Sequence, residues 1–311
     1  MSCKILLLAA FFAAAGMAMA QDATSRYPDG TGGPAAPTES VTVTALRQKQ
    51  IQQYVESHAV PSRMAGKIGR WEQPICITAE GLRPELLELV VRRVKAVAAQ
   101  VGAPVNNDPS CQQNVEIGFS SDPQSVMDYV RDKHINYLGS FYGAGEAEKI
   151  AQMTRPIQAW YATVTIDAHG ESTSDTRPSG PPRCFDFPRC ILMISAPVVQ
   201  STGTRVSDEI RTGFRNVVVL GDRNRLMKME IGPLADYISF LVLAQPRSLD
   251  DCTGLPSILN SLAVKCAPNS DELSQADIAY LTGLYHMNTG RFLAGQKEEI
   301  AFQMKKALGT R

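Results

Sequence analysis

The segment 232–245 constrains the fold of this chain more than any other stretch, because its residues are apolar on almost every side. Apolar residues recur with the spacing of one helical face, and the opposite side is aliphatic and aromatic as well. Asp236 is the only charged residue between Pro233 and Arg247. A helix that is apolar all round is normally buried, and a proline fits its first turn. The sequence therefore predicts a buried central helix over 232–245.

The charge within this helix needs an explanation, because an unpaired carboxylate is costly in a dry core. Three environments for Asp236 stay open from the sequence. The carboxylate can cap the start of the helix by accepting backbone N–H groups. It can pair with a basic residue, and Arg247 and Arg223 are the candidates near in sequence. It can also face a wet cleft, in which case the helix contributes to a binding site.

The N-terminal part of the chain has the composition of an export signal. Residues 1–20 combine Lys4, an apolar run and an Ala-Met-Ala cleavage motif, which predicts a signal peptide. Residues 21–43 are rich in small, polar and helix-breaking residues, which predicts a flexible leader. Residues 44–311 then form a single domain in our prediction, with an N-terminal helix over 44–60 and a C-terminal helical part over 255–308. We expect a periplasmic or secreted protein.

The charge balance limits the classes of partner. The chain has 31 basic and 31 acidic residues and no block of either sign. Nucleic acid and anionic membrane are therefore not expected as partners. No later stretch supplies the length of apolar sequence that a spanning helix needs, so we also expect no membrane insertion after signal cleavage.

The cysteine count agrees with export to an oxidising compartment. The chain has seven cysteines, and removal of Cys3 with the signal peptide leaves an even set. Six cysteines allow fifteen connectivities, and sequence alone does not select one. Sequential pairing is the simplest, because each bridge then closes one local unit: Cys76 with Cys111, Cys184 with Cys190, and Cys252 with Cys266.

The remaining pattern alternates between strands and helices. Strands are predicted over 71–78, 114–120, 157–166, 190–199 and 214–220. A strong amphipathic helix starts at Pro84, and Asp122 caps another that ends near His134. Segments 138–156 and 168–190 are predicted to be loops, and Leu255 to Val264 a short helix. Ser274 and Asp277 have the spacing of a capping box ahead of a further helix.

The residues 272–285, which read ELSQADIAYLTGLY, resemble the helix that closes the catalytic domain of matrixin-type metzincins. The order of the elements, apart from the inserted helix after Asp122, is similar to that of the zincin metallopeptidases. This resemblance implies an α+β, zincin-like fold: a mixed sheet of about five strands backed by a long helix, with a buried central helix and a helical C-terminal part. The segments 69–71 and 155–161 also resemble a family of secreted proteobacterial proteins, and that resemblance implies no activity.

The zinc-binding motif of the zincins is missing from this sequence. A zincin carries the motif HExxH on its buried helix, where two histidines bind zinc and the glutamate activates water. The register that fits best places Asp236, Tyr237 and Phe240 at those positions and Pro246 at the third ligand position. The histidines, His58, His134, His169 and His286, are far apart in sequence. We therefore expect no metal ligands, no catalytic residues and no cofactor, and Asp236, Tyr237 and Phe240 become the candidate cleft.

Three hypotheses about function follow. The first is a non-catalytic, zincin-like protein that binds a peptide or protein partner through its cleft or a sheet edge. The second is a hydrolase with an unrecognised site that uses Asp236 or His169. The third is a structural module of a larger envelope assembly. The absence of the zinc motif favours the first, although a shared fold does not by itself determine function.

Overall fold

The computed structural model of the chain describes residues 38–139, 144–176, 201, 203–250, 252, 254–263, 266 and 270–309, with side chains from residue 46 onward. From Glu39 onward the chain forms one compact unit. The predicted signal peptide, most of the predicted leader, the pair Cys184 and Cys190, and the strand predicted over 190–199 lie outside the described residues.

The described part of the chain contains eight α-helices. They are α1 (Thr38–His58), α2 (Pro84–Val101), α3 (Pro123–Lys133), α4 (Ala144–Ile150), α5 (Arg223–Leu226), α6 (Ile231–Leu243), α7 (Gln275–His286) and α8 (Leu293–Ala307). Two predictions of loop were wrong, because α1 begins within the predicted leader and α4 lies within the segment 138–156. The helix predicted after Leu255 is a single 3-10 turn, Ile258–Leu262.

Six strands form one mixed sheet within the described residues. They are β1 (Gly69–Arg70), β2 (Ile77–Glu80), β3 (Val115–Ser120), β4 (Ile157–Ile166), β5 (Ser172–Ser174) and β6 (Arg211–Asp222). The order is β2-β3-β6-β4-β5, and β1 also pairs with β6. The β2–β3, β3–β6 and β1–β6 pairs are parallel, whereas β4 pairs antiparallel with both β6 and β5. The predicted α+β class and mixed sheet are confirmed, with six strands rather than about five.

The strand predicted over 71–78 was wrong for most of its length. The sequence predicts a strand over 71–78, but the structure places β1 before Trp71 and begins β2 at Ile77. Pro74 lies between them and has no N–H for a ladder hydrogen bond, which explains the interruption. Only residues 77 and 78 of the predicted strand therefore belong to a strand, and β1, which lies before it, pairs with a different neighbour from β2.

Helices cover both faces of the sheet. Val217 and Val219 of β6 join α2 and α6 in the main core, whereas Leu220 joins Trp160 and residues of α3 and α4 in a second, smaller core. The alternation follows from the two-residue period of a strand. Helix α2 starts with Pro84 and ends at Gly102, which adopts a left-handed φ of 86°. Helix α6 is buried along nearly its whole length, as the sequence predicts.

The buried C-terminal end of α6 is satisfied by aromatic side chains from three distant segments. The last carbonyl groups of a helix have no partner within the helix. Here the indole N–H of Trp71 donates to the carbonyl oxygen of Val242 at 2.8 Å. The hydroxyl of Tyr161 donates to Leu241 at 2.7 Å, and that of Tyr285 donates to Leu243 at 2.9 Å. These bonds fix α6 against the sheet and α7.

Two of the three predicted disulfides are present. Cys76 and Cys111 are bonded with a Cα–Cα distance of 6.0 Å, and Cys252 and Cys266 with a distance of 4.9 Å. Both confirm the local pairing predicted from the sequence. No helix among the described residues has the length and apolar character needed to cross a membrane.

Candidate functional site

The buried carboxylate of Asp236 is compensated by an ion pair with Arg93. Its side chain is almost fully buried, with the residue 4% exposed. One carboxylate oxygen accepts a hydrogen bond from Nε of Arg93, and the other accepts the backbone N–H of Leu273 at 3.0 Å. A basic partner was one of the three environments left open by the sequence, but the two named candidates were wrong. Arg247 lies near Glu56, and Arg223 donates to the carbonyl oxygen of Gly81.

The candidate cleft predicted around Asp236, Tyr237 and Phe240 is not open. Tyr237 is 1% exposed and Phe240 is fully buried. Burial raises the pKa of Tyr237 above the usual value for tyrosine. Phe240 stacks on Tyr280 with a centroid distance of 5.9 Å. The three side chains therefore belong to the core rather than to an accessible site, because the helix that carries them packs mainly against α2, with Tyr280 of α7 on Phe240.

The four histidines lie apart in the fold. His58 is buried and stacks on Tyr54 at 4.2 Å, whereas His134 is exposed and stacks on Tyr137. His286 is exposed at the end of α7, and His169 follows β4 in a turn. In the described ranges, no group of three or more His, Cys, Asp or Glu residues is placed to hold a metal ion.

A surface groove begins at Leu273, the residue that bonds to Asp236. We call it the helical groove, because α2, α7 and α8 form it. It has a volume of about 590 Å³. Its lining residues are Gln100 of α2, the segment 273–275, Ile278, Ala279 and Thr282 of α7, and Gln303, Lys306 and Ala307 of α8. The volume falls within the range usual for ligand sites in proteins, about 300–1,000 Å³.

One face of α7 forms the floor of the helical groove. Gln275, Ile278, Ala279 and Thr282 follow the i, i+3, i+4, i+7 spacing of a single helical face. Ile278 is half-buried and supplies the apolar surface at the centre of this floor, whereas Leu273 and Ala279 beside it are buried, at 8% and 3% exposed. An apolar floor of this kind gains free energy when a ligand removes it from water.

Amide side chains dominate the polar surface of the helical groove. Gln100 and Gln275 are exposed and Gln303 is half-buried. None of the three side chains makes a hydrogen bond to another residue of the described structure. Each amide can donate two hydrogen bonds and accept more at its oxygen. The groove therefore offers donors and acceptors on both walls that are free to bind a ligand.

The ionisable side chain that lines the helical groove is a lysine, and an arginine lies close to one end of the groove. Lys306 is the one ionisable side chain among the described residues that line it, and it makes no ion pair with a described residue. Arg93 lies outside the groove lining, and Asp236 links it to Leu273, because its two carboxylate oxygens bond to one residue each. The hydrogen bond to Asp236 is the largest of the effects that raise the pKa of Arg93. Arg93 thus stays protonated at neutral pH.

The floor of the groove is held in place by a buried carboxylate. Ser274 and Asp277 form the capping box predicted from the sequence, so α7 starts at a defined residue. Asp277 also accepts hydrogen bonds from the hydroxyl of Tyr54, from Ser257 at 2.7 Å and from the N–H of Ile258 at 2.9 Å. The segment that supplies Ser257 and Ile258 is closed by the Cys252–Cys266 disulfide.

Most residues of this site could not be found from the sequence. The capping box is a local signal, and it was identified. The three glutamines come from helices that are far apart along the chain, and an exposed glutamine carries no sequence signal of its own. Comparisons of the chain with protein-family models, with curated proteins and with solved structures gave no match. The functional conclusion therefore rests on the geometry of the helical groove.

Proposed function

We propose that this protein is a non-catalytic binding protein that holds a peptide segment of a partner in the helical groove. The observation that carries the proposal is the combination of the half-buried Ile278 on the floor with three amide side chains, Gln275 on the floor and Gln100 and Gln303 on the walls, that make no hydrogen bond to a described residue. A peptide has alternating N–H and C=O groups along its backbone, and glutamine can serve both. Its apolar side chains would cover Ile278.

The groove chemistry supports binding rather than catalysis. A nucleophilic mechanism needs a nucleophile within hydrogen-bond reach of a base. The hydroxyl of Ser274 is already hydrogen-bonded to the carbonyl oxygen of Pro256 at 2.7 Å. The carboxylate of Asp236 has both oxygens engaged and is buried, so it is not placed as a general base. The hydrolase hypothesis thus gains no support from Asp236.

The zincin-like arrangement is part of the same proposal. A long helix and a buried central helix, α2 and α6, lie on one face of a mixed sheet, and a capped helix follows. This agrees with the resemblance of residues 272–285 to the metzincin closing helix. In our proposal the zinc-binding positions became core residues, while the surface formed by the closing helix became the binding site.

We also propose that the protein acts in the periplasm or outside the cell. Two disulfides are present in the described residues, and disulfides form and persist in oxidising compartments. The signal peptide predicted over residues 1–20 is consistent with that location. A partner met there would be a peptide or an exposed segment of another envelope or secreted protein.

Binding of an array of short synthetic peptides of varied sequence tests the proposal. The key variant is Gln100→Trp, which places a large ring on the wall of the groove. Its matched control is Ala99→Trp, which adds the same ring at the neighbouring exposed position that does not line the groove. We expect the wild type and Ala99→Trp to bind the same peptides, and Gln100→Trp to lose that binding by about tenfold or more.

Two results would refute the proposal. One is an array on which no peptide binds the wild-type protein. The other is equal loss of binding in both tryptophan variants, because the groove would then have no special part in recognition. Circular dichroism of both variants should match that of the wild type, which controls for loss of the fold.

A further inference from the structure

We infer that the peptide bound in the helical groove is acidic, and that Arg93 and Lys306 bind its carboxylate. This inference rests on the proposed function, because it assumes that the groove holds a peptide. The ligand is then an acidic peptide, and Arg93, which lies outside the groove lining, takes part in binding it. The hydrogen bonds of Asp236 to Arg93 and Leu273 are the evidence for this role of Arg93.

Arg93 lies at the end of the groove wall that α2 forms. It precedes Gln100 by seven residues, so the two side chains project from the same face of α2, two turns apart. Asp236 bonds both to Arg93 and to the N–H of Leu273, which is the first lining residue of the floor. A single carboxylate thus separates the guanidinium of Arg93 from the end of the helical groove.

The guanidinium of Arg93 is fixed but only partly used. Its Nε donates to Asp236, whereas its two terminal NH₂ groups donate no hydrogen bond to a described residue. The side chain is 41% exposed, so those groups can be reached from solvent. A planar guanidinium binds a carboxylate through two parallel N–H bonds, and less entropy is lost when the group is already held. Arg93 therefore offers a preorganised edge for an incoming carboxylate.

Asp236 acts as a positioning residue in this arrangement. Its buried carboxylate is compensated by Arg93 and by the N–H of Leu273, and it does not contact the ligand. Glu272 is a second carboxylate that acts on Arg93, since its charge contributes to the raised pKa of Arg93. It forms no ion pair with Arg93 among the described contacts and is exposed, so a ligand carboxylate can take the open edge.

Lys306 supplies the second cation, from the α8 wall. It is exposed and lines the groove, whereas no acidic side chain does so among the described lining residues. A carboxylate in the groove thus meets the positive charge of Lys306, and beyond Leu273 it can reach the terminal NH₂ groups of Arg93. An uncharged amide ligand would gain the hydrogen bonds to the glutamines but not this attraction. The charge pattern therefore selects acidic peptides over their neutral counterparts.

Matched peptide pairs test the inference. Each array peptide that contains Asp or Glu is paired with a counterpart in which Asn or Gln replaces it. We expect the wild type to bind the acidic member about tenfold more tightly, because hydrogen bonds to charged groups are stronger than neutral ones. The double variant Arg93→Gln/Asp236→Asn removes the guanidinium without leaving a buried charge, and its preference should fall, with the part that remains due to Lys306. Lys306→Gln should reduce the preference, whereas the neighbouring Lys305→Gln, outside the groove lining, should not.

The outcomes separate this inference from the proposed function. Groove-dependent binding with no preference between pair members overturns the inference and leaves the function standing. A preference that persists undiminished in both the double variant and Lys306→Gln also overturns it, because the carboxylate then binds elsewhere. Absence of groove-dependent binding refutes the proposed function and the inference together. If the double variant does not fold, the wild-type preference and the Lys306→Gln comparison decide.

Discussion

The backbone N–H of Leu273 donates a hydrogen bond of 3.0 Å to the buried carboxylate of Asp236. This bond joins the central helix α6 to the residue at which the helical groove begins. Asp236 therefore has a structural role: its carboxylate bonds both to the guanidinium of Arg93 and to the backbone at the start of the groove floor. It positions these two groups and does not itself line the groove.

Replacement of Asp236 by asparagine tests this task. The variant keeps an acceptor for Leu273 but loses the charge that pairs with Arg93. We expect the free energy of unfolding to fall by about 1–2 kcal/mol, because a charge-assisted hydrogen bond is replaced by a neutral one. Urea denaturation measures the change, and Asp271→Asn at an exposed position is the control. Equal stability of Asp236→Asn and the wild type would contradict the assigned role.

The aromatic contacts at the end of α6 make a second prediction. Trp71→Phe removes the indole N–H and leaves the carbonyl oxygen of Val242 without that buried donor. We expect a loss of about 1–3 kcal/mol in unfolding free energy, the cost of an unsatisfied buried polar group. Tyr129→Phe, in which the hydroxyl is lost from a side chain that is 58% exposed, should change stability by less than about 0.5 kcal/mol. Similar stability of the two variants would show that Val242 finds another partner.

The sequence predicts what local signals encode. The apolar stripe and Pro84 identify α2, the all-apolar pattern identifies α6, and Ser274 with Asp277 identifies the start of α7. Long-range contacts have no such signal. Arg93 and Asp236 are 143 residues apart, and Trp71 and Val242 are 171 apart. The sequence alone therefore indicated a charge in need of a partner, but not which arginine supplies it.

The same distinction explains the candidate cleft. The placement of Tyr237 and Phe240 at catalytic positions depended on a fold analogy, whereas the apolar pattern along α6 predicts the burial that both side chains show. The helical groove could not be predicted, because three separate helices meet to form it.

Alkaline conditions should destabilise the fold steeply. Burial raises the pKa of five tyrosines, Tyr54, Tyr161, Tyr237, Tyr280 and Tyr285. The unfolded chain releases these protons near pH 10, before the folded chain does. Stability is thus fully present below about pH 10 and is lost as the pH rises through the folded values, by about 1.4 kcal/mol per tyrosine and per pH unit. The absorbance of tyrosinate and the circular dichroism signal should change together, and ionisation of these tyrosines near pH 10 in the folded protein would contradict the account.

The Cys252–Cys266 bridge should stabilise the floor of the groove. It closes the segment that supplies Ser257 and Ile258 to Asp277. Replacing both cysteines by serine should cost about 2–4 kcal/mol and should increase hydrogen exchange of the first turn of α7 in the native state. Removal of the Cys76–Cys111 bridge is the matched control, and we expect it to lower global stability without a selective effect on α7. If hydrogen exchange along α7 is unchanged in the variant that lacks the Cys252–Cys266 bridge, the bridge does not stabilise the floor of the groove.

The central claim is that a peptide binds in the helical groove, and hydrogen exchange in the presence of the tightest peptide from the array tests it most directly. We expect slower hydrogen exchange of the backbone amides over residues 275–282 and 303–307, which contribute lining residues from α7 and α8. Exchange over the edge strand β2, Ile77–Glu80, should not change. Protection of β2 with no change along α7 would place the ligand on the sheet edge and contradict the claim.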